Sequence, residues 1–321
     1  AVRAAARAGG REVRVLMDLA GPKIRTARVH LGARPRLIAG DRLLLRRDAS
    51  VPAPADGAAS CACTLEGALD NVAVGAPVAI DDGKIWAEVE AVTAAGRWLR
   101  IRRTKPGGAK LEPDRGINFP GTALDIAPLT PADRAALPVV AELADVVGYS
   151  FVQRAADIGV LLDAIPPRPA AVRPLALVAK IETELAFRNL PEIVVAAAGR
   201  VPFGVMIARG DLGVEVGFAR LSEVQEEILW LCEAAHVPVV WATDVLPSLV
   251  KRGMAARGEF TDAAMAARAE CVMLNRGAFL EEAVATLDDV LRRAERHLDK
   301  KTPQLVPLRS WQAALGPAPK P

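Results

Sequence analysis

Residues 175–198 read LALVAKIETELAFRNLPEIVVAAA. The opening LALVA is an unbroken apolar run, the pattern of a strand buried on both faces. It ends in KIE, and side chains at i and i+2 of a strand share one face. Lys180 and Glu182 therefore emerge side by side at the carboxyl end of that strand, and the TELAFRNLPEIVVAAA that follows reads as a helix. A lysine beside a carboxylate here is either a local ion pair at a strand end or half of an anion-and-metal site.

The same alternation recurs three times. FGVMIARGD precedes the helix around LSEVQEEILWLCEAAH, VPVVWAT precedes DVLPSLVKRG, and ECVMLNRG precedes FLEEAVATLDDVLRRAERHL. Two earlier strands read VRVLMDLA and, at 145–152, DVVGYSFV. Strands alternating with helices predict a parallel α/β sheet. LTPADRAAL supplies a helix start, with Thr130 as N-cap, Pro131 at the first helical position and Asp133 in the first turn. In the helix after ARGDLG, Leu221, Val224, Ile228 and Cys232 fall on one face. The stretch 28–115 differs. Its short apolar runs, separated by Gly, Pro and Asp turns such as DDG at 81–83, predict a small all-β module.

With 51% hydrophobic and 25% charged residues, the chain has an ordinary globular composition. The net charge of +3 is spread out and gives no support to nucleic-acid or membrane binding. No apolar stretch is long enough to span a bilayer, and no signal peptide is visible. Cys232 and Cys271 sit in apolar runs and are expected to be buried thiols. Cys61 and Cys63 fit alternate positions of a short strand better than a metal site. A reduced, cytoplasmic setting is the default expectation.

Polar residues cluster where the apolar strands end: Asp18, Lys180 with Glu182, Arg209 with Asp211, Thr243 with Asp244, and Asn275 with Arg276. In a parallel α/β barrel such positions share the rim on which active sites are built. Glu182 and Asp211 are hard oxygen ligands suited to Mg²⁺. Lys180 can offset charge on a transferring phosphoryl group. A Gly-Asp-Leu-Gly turn at 210–213 can turn backbone N–H groups toward a carboxylate. His30, His236 and His297 are scattered and read as surface or satisfied residues. The inventory is that of phosphoryl transfer, where positioning and electrostatics dominate.

In order along the chain, MDLAGPKIRT, IDDGKI, GINFPGTALD, YSFVQRAADI, AKIETE, GVMIARGDLGVEV, VPVVWATDVLPSLVK and AECVMLNRG closely resemble the pyruvate kinase family over roughly residues 12–295. The resemblance implies an α/β fold: a (β/α)₈ TIM-type barrel, incomplete at its N-terminus, with an inserted small all-β lid domain. Residues 1–27 and 116–299 would form the barrel, 28–115 the lid, and 300–321 a partly disordered extension ending GPAPKP. It implies transfer of phosphate from phosphoenolpyruvate to ADP, giving pyruvate and ATP, with Mg²⁺ or Mn²⁺. Glu182 and Asp211 match the divalent-metal ligands, and Lys180 the lysine that stabilises the phosphoryl group. Gly210 and Asp211 amides with Thr243 match the carboxylate cradle, Thr243 also lying where a proton is relayed to the enolate. Arg25 matches a phosphate-facing arginine, Asp18 a monovalent-cation ligand, and Asp82 a lid residue closing over the nucleotide. Lys23 stands where many members carry glutamate, which implies that its ammonium replaces K⁺. No nucleic-acid or membrane partner is implied, and a homo-oligomer is allowed for.

The chain also departs from the pattern. The first two barrel strands and their RLNFSH-like segment are absent, so a fragment of a longer product is expected. Absence of the C-terminal regulatory domain implies no sugar-phosphate control through it. Asp244 replaces the usual glutamine, which brings like charge toward bound phosphates, and NRG at 275–277 replaces SGE. A catalytically impaired relative that binds Mg²⁺ and a small carboxylate, or a Mg²⁺-dependent barrel lyase or aldolase acting on pyruvate enolate, are the alternatives.

Overall fold

Near-continuous apolar strands do form a parallel sheet. The computed structural model describes residues 1–295 apart from Ala33, Glu66 and 169–172, together with the backbone of 298–299 and 302–303. His297 and the expected disordered tail lie outside the described residues. The chain divides into two units, Ala1–Ile228 and Leu229–Pro321.

The first unit opens with α1 (Val2–Ala8) and β1 (Leu16–Leu19). An all-β insertion follows: β2 (Thr26–His30), β3 (Arg42–Arg46), β4 (Ser60–Cys63), β5 (Pro77–Ile80), β6 (Ile85–Thr93), β7 (Gly96–Thr104) and β8 (Ile117–Asn118). The chain then alternates: α2 (Pro131–Leu143), β9 (Val146–Tyr149), α3 (Ala155–Ala164), β10 (Ala176–Ile181), α4 (Glu184–Arg188), α5 (Leu190–Ala197), β11 (Phe203–Ala208), α6 (Arg209–Val216) and α7 (Phe218–Ala234), within which the first unit ends. β1, β9, β10 and β11 pair in that order, all parallel. Most residues of β10 and β11 are buried, which is why their sequences lack a polar face.

The insertion makes a seven-stranded sheet in the order β2-β4-β3-β7-β6-β5-β8, antiparallel except for β3 with β4. It carries its own core, with Leu43, Leu45, Val78, Ile80, Leu99 and Ile101 fully or almost fully buried. Cys61 and Cys63 belong to that core, and burial pushes the Cys61 thiol up to about 12, so neither suits metal capture. The β5–β6 hairpin turns through Asp81, Asp82 and Gly83, all at positive φ. Two aspartates can hold that conformation because Asp tolerates the left-handed region.

Helix α2 starts as its sequence predicts. The Thr130 hydroxyl accepts from Asp133 N–H, and the Asp133 carboxylate accepts from Thr130 N–H, a reciprocal capping box. Asp133 also accepts from Gly21 N–H at 3.2 Å, which fixes the turn just after β1. The expected single helix over 183–198 is instead two, broken at Asn189. Pro191 explains the break: its ring disfavours a continuous helix and suits the first turn of a new one.

Gly148 in β9 lies opposite Asp18 of β1. A Cβ there would sit 1.9 Å from the Asp18 carboxylate. Gly148→Ala should therefore lower stability by about 1–3 kcal/mol through overpacking. Combined with Asp18→Ala, the loss should largely disappear, because the clashing carboxylate is gone. Thermal unfolding of the two single variants and the double checks this; additive losses would place the strain elsewhere.

In the second unit, β12 (Val239–Ala242) pairs in parallel with β13 (Cys271–Val272). Helices α8 (Pro247–Arg252), α9 (Arg257–Met265) and α10 (Leu280–Ala294) accompany them. Cys232 is buried as expected, but Cys271 is exposed. It begins a strand of only two residues. No described helix is long and apolar enough to cross a membrane.

Candidate active site

KIETE lies at the carboxyl end of β10. Lys180 is largely buried, and its ammonium donates to the Ser150 hydroxyl at 2.9 Å. It lies 3.3 Å from Glu182 and 3.6 Å from Asp18. Ser150 passes its own proton to the Leu19 carbonyl at 2.6 Å, so its oxygen is held toward the lysine. Burial alone would lower the Lys180 pKa, but the Glu182 and Asp18 carboxylates outweigh it and raise it. The ammonium is thus firmly charged and gathers carboxylates from two strands. A local surface pair would show neither feature.

Glu182 is only 4% exposed. Its second oxygen accepts from Phe151 N–H at 2.6 Å. Burial pushes its pKa up, Lys180 pulls it down, and the nearby Asp211 pushes it up again. The last effect marks two carboxylates close enough to repel each other.

Asp211 sits in the first turn of α6. The expected Gly-Asp-Leu-Gly turn is therefore a helix start, because the chain coils as soon as β11 ends at Ala208. N–H groups in a first helical turn point out of the helix end and favour anions. Gly210 and Asp211 occupy that turn. Lys23 grips both Asp211 oxygens, at 3.0 and 2.8 Å, and its ammonium lies 5.8 Å from the Phe151 ring centroid. Asn118, the last residue of the inserted sheet, donates to Asp211 at 3.5 Å, on an oxygen that Lys23 also contacts.

Glu182 and Asp211 suit Mg²⁺ or Mn²⁺. Mg²⁺ is usually bound through one or two carboxylates, with waters and substrate phosphates completing the octahedron. Neighbouring carboxylates that repel one another are what a divalent cation would relieve. Among the described residues no group of three or more His, Cys, Asp or Glu could form a closed cage.

Not every expected residue joins this cluster. Arg25 pairs with Asp114 at 3.5 Å and donates to its carbonyl at 3.2 Å. Asp82 is exposed on the β5–β6 turn, while its neighbour Asp81 pairs with Lys84 at 2.9 Å. Thr243 belongs to the second unit, where it is half-buried and followed by an exposed Asp244. Both take positive φ, 47° and 55°. A non-glycine pair in the left-handed region is held there at a cost, as functional loops often are.

Three neighbours were not legible beforehand: Ser150, Asn118 and Glu215. Glu215 lies one helical turn beyond Asp211, a relation hidden when RGDLG reads as a turn. The Asn118 amide and the Glu184 N–H lie near enough to favour its charged form. Burial chiefly, with Asp211 adding, pushes its pKa up to about 7 against those donors. A pKa raised on folding stabilises the protein fully below the unfolded value and loses that contribution as pH rises through about 7. Stability should accordingly fall by on the order of 2 kcal/mol from pH 5 to pH 8 at this residue. Glu215→Gln should flatten the slope in denaturant titrations across that range. An unchanged slope would assign it to other groups.

A pocket of about 200 Å³ opens beside Asn118 and Glu215, walled by Ile117, Phe119, Phe151 and Leu185. The acid–amide–lysine cluster therefore lies between a parallel sheet and the root of an inserted β module.

A family model for the pyruvate kinase barrel domain matches residues 1–284. The chain belongs to the pyruvate kinase barrel-domain family. Its α/β architecture is accordingly of the (β/α)₈ barrel type. A pyruvate kinase of Geobacillus stearothermophilus is 32% identical over 308 residues, 94% of this chain and 50% of that protein. One from Agrobacterium vitis is 32% identical over 308 residues, covering 92% of this chain and 60% of that protein. A crystal structure of a pyruvate kinase from Cryptosporidium parvum matches with TM-score 0.81 at 27% identity, over 93% of this chain and 60% of that one. The chain thus spans about half the length of the curated pyruvate kinases of Geobacillus stearothermophilus and Bacillus licheniformis, at 50% and 52%.

Proposed function

We propose that the protein transfers the phosphoryl group of phosphoenolpyruvate to ADP. The bond from phosphorus to the enol oxygen breaks, a bond to the terminal ADP oxygen forms, and the enolate takes a proton at carbon to give pyruvate. The observation that carries this reading is the buried Lys180 ammonium, held among Ser150, Asp18 and Glu182 at one strand end.

In this reading Lys180 faces the phosphoryl group, whose charge spreads over its equatorial oxygens in flight. When bound to Glu182 and Asp211, Mg²⁺ or Mn²⁺ would supply further positive charge to those oxygens. The amides of Gly210 and Asp211 cradle the substrate carboxylate, and the role proposed for the Thr243 hydroxyl is to carry a proton to the enolate. Arg25 reaches a phosphate and Asp82 closes with the inserted sheet over the nucleotide. Asp18 is the monovalent-cation position. Lys23, already a fixed cation against Asp211, makes K⁺ unnecessary. The setting proposed is cytoplasmic, and self-association of identical chains is part of the reading.

Asp244 favours a second reading, an impaired relative that binds Mg²⁺ and a small carboxylate, because its exposed charge would repel nucleotide phosphates. Pyruvate release measured with and without ADP separates the possibilities. Strict ADP dependence supports the kinase. Release of pyruvate from a 4-hydroxy-2-oxo acid, with neither phosphoenolpyruvate nor ADP present, points to lyase chemistry. Oxalate binding with Mg²⁺ but no release points to the impaired relative.

A further inference from the structure

Two consecutive residues outside the proposed ligand set, Ser150 and Phe151, touch three charged groups of the site, Lys180, Glu182 and Lys23. Tyr149 pairs with Leu19 of β1 and with Ala179 of β10, so the chain leaves β9 level with Lys180. Ser150 is 3% exposed and accepts from the Lys180 ammonium at 2.9 Å. Phe151 donates its N–H to Glu182 at 2.6 Å, and its ring centroid lies 5.8 Å from the Lys23 ammonium. The turn is held in a strained shape, with Phe151 at φ 56°. Gly21 makes room for it: a Cβ there would sit 2.9 Å from the Ser150 carbonyl oxygen.

A lysine and a glutamate two apart on one strand face would ordinarily close into a charge-assisted hydrogen bond of about 2.7–2.9 Å. Here the ammonium stays 3.3 Å from Glu182 and 3.6 Å from Asp18, while its short contact is to a neutral hydroxyl. The Ser150 proton is committed to the Leu19 carbonyl at 2.6 Å, so the hydroxyl meets Lys180 only as an acceptor. Phe151 N–H meanwhile occupies the Glu182 oxygen that does not face the lysine. We propose that Ser150 is a positioning residue: together with Phe151 N–H it holds Lys180 and Glu182 apart, which leaves the ammonium open to a phosphoryl oxygen. Without the hydroxyl, the ammonium settles onto Glu182 and Asp18 and is withdrawn from the substrate. This rests on the reading of Lys180 as the group that faces the phosphoryl.

The test reads the Lys180 ammonium directly, in proton–nitrogen correlation spectra of the lysine side chains of the protein alone. Loss of one signal in Lys180→Met assigns it. Wild type should show a distinct Lys180 signal, because a seated ammonium exchanges its protons slowly. Ser150→Ala, checked as folded by thermal unfolding, should shift or broaden that signal, and Ser150→Thr, which keeps the hydroxyl, should bring it back. In pyruvate formation, Ser150→Ala should lower kcat by roughly 10- to 100-fold, as an ångström-scale misplacement does, with KM for phosphoenolpyruvate within about threefold of wild type. A Lys180 signal absent from wild type, or unmoved by Ser150→Ala, would overturn the proposal. So would a folded Ser150→Ala variant whose kcat stays within about twofold of wild type, or one in which KM alone rises, the mark of lost ground-state binding. A wild type that forms no pyruvate sinks the phosphoryl-transfer reading, and the Lys180 signal still decides whether Ser150 holds the ammonium.

Discussion

Lys180→Met lowers phosphoryl transfer by roughly 10²- to 10³-fold while leaving a folded protein, if the ammonium acts as proposed. The size follows from its setting. The side chain is buried, its charge is sustained by two carboxylates, and Ser150 fixes its direction. A preorganised cation in such a place acts on developing charge without first having to shed water. Methionine keeps most of the volume and removes only the charge. Some loss of stability must accompany it, because Glu182 stays buried without its partner. Circular dichroism and unfolding therefore accompany the kinetics. A folded Lys180→Met variant retaining a tenth or more of wild-type kcat would remove Lys180 from the chemistry.

The second large effect concerns Lys23. Wild-type turnover should be indifferent to K⁺. Lys23→Glu should fall by about a hundredfold in K⁺-free buffer, in line with breaking a partly buried pair, and regain much of its rate when K⁺ is added. The geometry behind this is the two-oxygen grip on Asp211. Replacing that ammonium by a carboxylate puts a third negative group beside Asp211 and Glu182, and a mobile cation then becomes necessary. Strong stimulation of the wild type by K⁺, or a Lys23→Glu variant that ignores it, would contradict the role. Lys23 is also seen on Asp211 rather than on Asp18, whose recorded cation is Lys180. The fixed cation therefore neutralises the site from the side of α6.

The strand–helix alternation was legible because strands buried on both faces must be apolar throughout, and LALVA and FGVMIA are. The neighbourhood of Lys180 and Glu182 was legible for the same reason, since strand geometry alone puts them on one rim. What escaped depends on contacts between segments far apart in the chain. Asn118 and Glu215 are 97 positions apart, and nothing local marks either as the other's neighbour. Residues 210–213 read as a turn because Gly210 and Gly213 bracket Asp211 and Leu212; the coiling of Arg209–Val216 is decided by tertiary packing, with Leu212 and Val214 buried, rather than by propensity. Cys271 read as core because its neighbours are apolar, yet it lies exposed at the start of a two-residue strand.

Phosphorus nuclear magnetic resonance of the protein with phosphoenolpyruvate, ADP and Mg²⁺, in buffer free of K⁺, tests the central claim most directly. The account predicts that the phosphoenolpyruvate signal is replaced by the γ-phosphate signal of ATP, and that Lys180→Met stops the exchange. A folded wild-type protein that leaves both substrates unchanged, or that releases inorganic phosphate in place of ATP, would contradict it.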